Sequence, residues 1–197
     1  MADFRAIRAT CDAIVRLLQQ SWIPEQFDDA PLQFRVYHTR DFESQPLEVG
    51  VILFLYRVTV NPSQRSLPVK TNPDGTTRQP PLPLDLHLML TARAKEASLE
   101  QEILGWAMRT LHDYPILPAG LLNSLTPEVF RPDETVELSN MELTPEEMFR
   151  IWDVLPGKFQ LSVAYLARVV RIDSARDFAG GEVVLERQLD FGALKRS

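Results

Sequence analysis

The chain has 197 residues, 45% of them hydrophobic and 24% charged, enough apolar material for one domain with a buried core. Its net charge of −6 argues against a nucleic-acid partner, which would need clustered Lys and Arg to neutralise phosphates. The single cysteine, Cys11, excludes an internal disulfide and a cysteine zinc cluster. With the charged N-terminal stretch, it points to folding in a reducing cytoplasm without a signal peptide or membrane span.

Phe4, Ile7, Cys11, Ile14 and Leu18 recur three and four apart, which predicts a helix with one apolar stripe, ended by Pro24. Cys11 falls on that stripe and reads as a small buried hydrophobe. A first strand is expected at 32–39 and a second at 47–60. In the second, Val51 to Tyr56 is apolar on both faces, as in a central strand covered on both sides.

Residues 61–83 carry six prolines and the turn signal Asn72-Pro73-Asp74-Gly75. This segment is too long for an ordinary connection and predicts a protruding arm between two neighbouring strands. The second of those strands is "PPLPLDLHLMLTA", residues 80–92. Its leucines at 84, 86, 88 and 90 share one face, and Asp85, His87 and Met89 share the other.

A helix follows with Ser98 and Gln101 as its expected capping box and Leu99, Ile103, Leu104, Ala107, Met108 and Leu111 as its apolar face. Gly105 inside it costs about 1 kcal/mol against alanine, which suggests a close backbone contact. Residues 115–143 read as irregular, with a short strand at "ETVELSN". A last helix opens on a second capping box, Thr144 with Glu147, with Pro145 at its first position. A strand at 160–173, a turn at "SARDFAGG" and an amphipathic strand at 182–191 complete the chain. The fold class is therefore α/β (α+β): a mixed, mostly antiparallel sheet of four to six strands with two or three helices packed on it. Residues 1–197 form one domain with a loop at 61–83 and a C-terminal arm at 174–197.

Candidates for chemistry are few. His38 ends a strand with no acid that spacing would set on its face, and His112 sits in a last helical turn, where the dipole favours a cation. His87 beside Asp85 is the best acid–base candidate, yet no nucleophile context accompanies it. Glu146 and Glu147 belong to a first helical turn. No metal-ligand spacing and no glycine-rich phosphate loop occurs among eight glycines. No catalytic, cofactor or metal site is expected.

Several stretches in register resemble a known family. They are Leu53-Phe54-Leu55-Tyr56-Arg57-Val58 with Asn61 and Arg65, then Pro80-Pro81-Leu82, Leu84-Asp85-Leu86-His87 and Leu90-Thr91. Leu104-Gly105, Ala107-Met108, Leu111-His112, Pro115, Ile151-Trp152 and Ser162-Val163-Ala164-Tyr165 follow. Together they are similar to the cap or tail-terminator proteins of contractile injection systems of the antifeeding-prophage type, over roughly residues 4–175. Many relatives read Tyr-Gly where this chain has Ala92-Arg93, and some carry a further C-terminal domain. The resemblance implies a homo-hexameric ring that ends the sheath and inner tube distal to the baseplate, in a particle assembled in the cytoplasm. It implies no enzyme, and it leaves membrane contact open. Arg57, Asn61, Arg65, Asp85, His87, Glu182, Glu186 and Arg187 are the interface residues expected on this reading, with 182–191 adding a strand to a sheath edge. The rival readings are a monomeric protein-binding adaptor and a small hydrolase using Asp85 and His87.

Overall fold

A strand that is apolar on both faces must be covered on both sides, and this requirement organises the fold. The computed structural model describes residues 2–27, 31–44, 46–64, 70–71, 76–157, 159–174 and 177–179. In chain order the elements are α1 (Ala6–Ser21), β1 (Gln33–Tyr37), α2 (Asp41–Ser44), β2 (Gly50–Val60), β3 (Lys70–Thr71), β4 (Thr76–Arg78) and β5 (Leu82–Arg93). Then come α3 (Ala97–Asp113), β6 (Ile116–Pro118), α4 (Ala119–Leu122), β7 (Thr135–Met141), α5 (Pro145–Asp153), β8 (Ser162–Ile172) and β9 (Asp177–Ala179). The main sheet has the order β1-β2-β5-β8-β7-β6, and only β1–β2 is parallel.

The period of two sorts the side chains. Val51 and Leu53 of β2 and Leu84, Leu86, Leu88 and Leu90 of β5 face the larger core, with α1, α3 and α4. Ile52, Phe54 and Met89 face the opposite way, into a smaller cluster with Tyr37, Phe42, Leu47, Trp152 and Leu155 from around β1, α2 and α5. Each fully buried leucine stabilises the fold by about 2 kcal/mol relative to exposure. The smaller cluster is aromatic, with Phe42 edge-on to Tyr37, Phe54 and Trp152 at centroid distances of 5.3, 5.4 and 5.7 Å.

The proline-rich segment does join neighbouring strands, since β2 and β5 pair from Gly50↔Arg93 to Val60↔Leu84. Beyond them β3, β4 and β9 make a separate three-stranded sheet, which is the arm. The turn at 72–75 and the strand expected at 182–191 lie outside the described residues.

Several local expectations give way. Phe4 is 80% exposed rather than part of the helical stripe, because Asp3 accepts the Arg5 amide and α1 begins only at Ala6. The capping box at Ser98 does not form. Glu96 is the N-cap, so Ser98 already lies inside the first turn. Gly105 makes no close approach, since a Cβ built there would find nothing within 4 Å. Residues 177–179, read as part of a turn, are strand β9, and 115–122 holds β6 and α4. The second capping box is present, with Glu147 N–H donating to Thr144 Oγ1 and Thr144 N–H to Glu147 Oε2.

Candidate functional site

The root of the arm is where β2 and β5 meet the far half of β8. Here the β5–β8 register shifts between Leu84↔Val170 and Leu86↔Ala167, so Arg168 and Val169 together oppose Asp85. Val169 has φ +59°, a left-handed conformation that a β-branched residue adopts at a cost of roughly 1–3 kcal/mol. Its N–H donates to Asp85 Oδ1 at 3.1 Å, so the Asp85 side chain satisfies the bulged amide.

Asn61 holds the same carboxylate. Its Nδ2 donates to both Asp85 oxygens at 3.0 Å, and its Oδ1 accepts the Ser63 amide at 3.0 Å, shaping the 3₁₀ turn Pro62–Gln64. The Asn61 N–H donates to the Pro83 carbonyl, and Asn61 is only 3% exposed. Arg171 Nη2 donates to Gln64 Oε1 at 3.0 Å, tying β8 to the same turn. Three chain segments distant in sequence are thus clamped where the arm leaves the sheet.

His87 is not bonded to Asp85. Its Nε2 lies 3.0 Å from Thr59 Oγ1, and its ring meets Tyr56 edge-on at 6.0 Å. Burial lowers its pKa below the ordinary 6.5, and the neighbouring Arg57 guanidinium lowers it further, while Asp85 opposes the shift. Asp85 and His87 therefore do not form the dyad a general acid–base mechanism needs. Arg57 pairs across the strands with His87 and is exposed. This half of the sheet face is only partly covered, with Asp85, His87 and Leu166 of intermediate exposure.

Beside the root, a cavity of about 300 Å³ opens where β7 begins at Thr135 and β8 runs on past it. Its charges are mixed: Arg131 pairs with Glu134 at 3.0 Å, and Arg168 with Glu137 at 3.9 Å. Arg171 Nε is buried there without a hydrogen bond, as is the nearby Asp173 Oδ2, which lies 4.0 Å from Arg131 Nη2.

His38, expected to have no acid beside it, does have one. Its N–H donates to Asp41 Oδ2 at 2.9 Å, and Nδ1 contacts the same oxygen. The pairing crosses the turn into α2, where strand-face spacing gives no guidance. His112 is exposed at the end of α3, and Cys11 is buried. Among the described residues, no group of three or more His, Cys, Asp or Glu could hold a metal ion, and no helix is long and apolar enough to cross a membrane.

Of the expected interface residues, Asn61 and Asp85 are in contact and Arg57 and His87 are cross-strand neighbours. Arg65, Glu182, Glu186 and Arg187 lie outside the described residues. Thr59, Ser63, Val169 and Arg171 belong to the site and were missed; only the Asn61-Pro62 pair signalled the turn.

Two solved structures share this fold. It is similar to the PVC sheath/tube terminator of an extracellular contractile injection system in its extended state, with a TM-score of 0.61 and 14% identity. It is also similar to the anti-feeding prophage cap, a tube terminating cap, with a TM-score of 0.55 and 12% identity. The matches cover 96% and 92% of this chain, but only 65% and 60% of those chains, so this chain spans less than two thirds of either. By sequence, residues 9–186 match the Pvc16 N-terminal domain family, and the chain belongs to it. No curated protein matches.

Proposed function

We propose that this chain caps a contractile injection system. Copies of it close into a ring of six that ends the sheath and the inner tube distal to the baseplate, in a particle assembled in the cytoplasm. The observation that carries the reading is a shared fold with two terminators along nearly the whole of this chain, joined to family membership over residues 9–186. Physical logic supports it. A cap must bind the last ring of a polymer and offer nothing that recruits another, which symmetric closure supplies.

The arm built on 61–83 reaches sheath or tube, and its clamped root transmits that contact to the sheet. The partly covered face with Arg57, Asp85 and His87, and Asn61 at the root, meets neighbouring copies. Arg65, Glu182, Glu186 and Arg187 extend the contact along the arms. The role is structural: the Asp85 carboxylate is occupied by Asn61 and the Val169 amide, which leaves the hydrolase reading without a proton-relay partner for His87.

Electron microscopy of particles made with and without this chain tests the reading. With it, sheathed tubes should have one narrow length and a closed end. Without it, tubes should vary in length or lose their sheath. Identical particles in both preparations would refute it.

A further inference from the structure

The second strand of the sheet is paired along only part of its outer side. β1 covers β2 from Gly50 to Phe54, whereas β5 runs beside it to Val60. Among the described residues, the outer edge of 55–60 therefore has no ladder partner. An unpaired edge is a template for another strand unless charge, proline or a cover blunts it. Here the edge reads Leu55-Tyr56-Arg57-Val58-Thr59-Val60, with no proline and one charge; its register with β5 shifts between Leu55 and Arg57, so the regular unpaired stretch is Arg57 to Val60, where Val58 is 42% exposed.

A groove of about 500 Å³ adjoins this edge, between Thr39, Tyr56, Ile151 of α5 and Val154 and Leu155 just after that helix. Val154 is 76% exposed, and the Tyr56 hydroxyl is buried with no hydrogen-bond partner. An open edge beside an apolar groove suits strand addition. Main-chain hydrogen bonds give the affinity, and the groove receives side chains from alternate positions.

We propose that this edge receives residues 182–191 of a second copy of this chain as an added strand, an inference that rests on the ring reading. The sequence of that segment has a period of two, with Val183, Leu185, Leu189 and Phe191 on one face, interrupted by Arg187, and Glu182, Val184, Glu186, Gln188 and Asp190 on the other. Only residues 180–181 lie between Ala179 and this segment, so the accepting edge has to come within about 10 Å of the end of β9. Topology decides between own chain and neighbour. In chain order β2 leads into β3, β4 into β5 and β8 into β9, so β9, the last described strand, is the β8-side strand of the arm order β3-β4-β9, while the open edge lies on the β2 side. One side of the molecule donates and the opposite side accepts. Such a head-to-tail contact repeats from copy to copy and closes into a ring.

Disulfide trapping tests this in the full-length chain. Cys11 is buried, with its thiol pushed up to about 12 by that burial, so it does not compete. Val58→Cys on one tagged copy is mixed with Val183→Cys, Leu185→Cys or Leu189→Cys on a differently tagged copy and mildly oxidised. The expected result is a cross-linked species carrying both tags for at least one position. No cross-link between copies at any of the three positions, or a cross-link only in a control chain that carries Val58→Cys together with a tail cysteine, overturns the proposal. Light scattering on the unmodified chain separates the two readings. A closed ring without cross-linking sinks strand addition alone, and a monomer at every concentration sinks the ring as well.

Discussion

At the scale of single residues, Asn61 and Asp85 do work that their neighbourhood in sequence conceals. Asp85 lies on a strand face beside His87, but its oxygens are taken by Asn61 Nδ2 and the Val169 amide. Removing the Asn61 amide leaves a half-buried carboxylate short of donors. Asn61→Ala is expected to destabilise the protein by on the order of 2 kcal/mol, and Asn61→Asp by more, since it sets two carboxylates together. Urea unfolding reads both, and a change within the range of ordinary surface substitutions would contradict the clamp. For His87, burial and Arg57 both disfavour the imidazolium, so the fold holds the neutral ring. The stability this contributes is present above about pH 6.5 and is lost as pH falls through the lowered folded value. A proton NMR titration should place His87 below 6.5, and Arg57→Gln should move its midpoint upward.

At the scale of elements, two glycines make opposite predictions. Gly50 opens β2 with φ +149°, and a Cβ there would lie 1.9 Å from the Gln33 carbonyl oxygen, inside the parallel pair with β1. Gly50→Ala should therefore loosen β1 and lower the melting temperature by several degrees. Gly105→Ala meets open space in α3 and should stabilise by up to about 1 kcal/mol. Calorimetry of the two variants checks both signs. At the start of α5, the Thr144 backbone and hydroxyl donate to Glu147 and hold its pKa below the usual 4.5. The box thus contributes above about pH 4.5 and fades as pH falls through the lowered value. The difference in melting between the protein and Glu147→Gln should be present at pH 7 and shrink as the pH is taken below about 4.5.

The long elements were legible because they repeat a period. β2, β5, β8, α3 and α5 each carry enough alternating or helical positions to fix their type, and the Thr144 box marks a helix start within a residue. β6, β9 and α4 have three or four residues, too few to show any period. The bulge at Val169 left no trace, because nothing in "RVV" demands a positive φ. The Asp85–Asn61 clamp was hidden for another reason. The two residues stand 24 apart, and only the strand register brings them together. Residue type had marked them as polar and adjacent to the arm, but not as partners.

At the scale of the whole molecule, a two-faced sheet carries a small second sheet on a clamped root. The larger core makes the body rigid. On the proposed reading, the arm, the half-covered face with Arg57 and His87, and the edge of β2 left unpaired among the described residues are the surfaces for assembly. The chain spans less than two thirds of the length of the two terminators whose fold it shares. The account depends on this chain standing at one end of a polymer, which can be observed directly. Gold labelling of an affinity tag on the chain, in purified particles, should mark a single spot at the tip opposite the baseplate. Label spread along the sheath, or gathered at the baseplate, would contradict it.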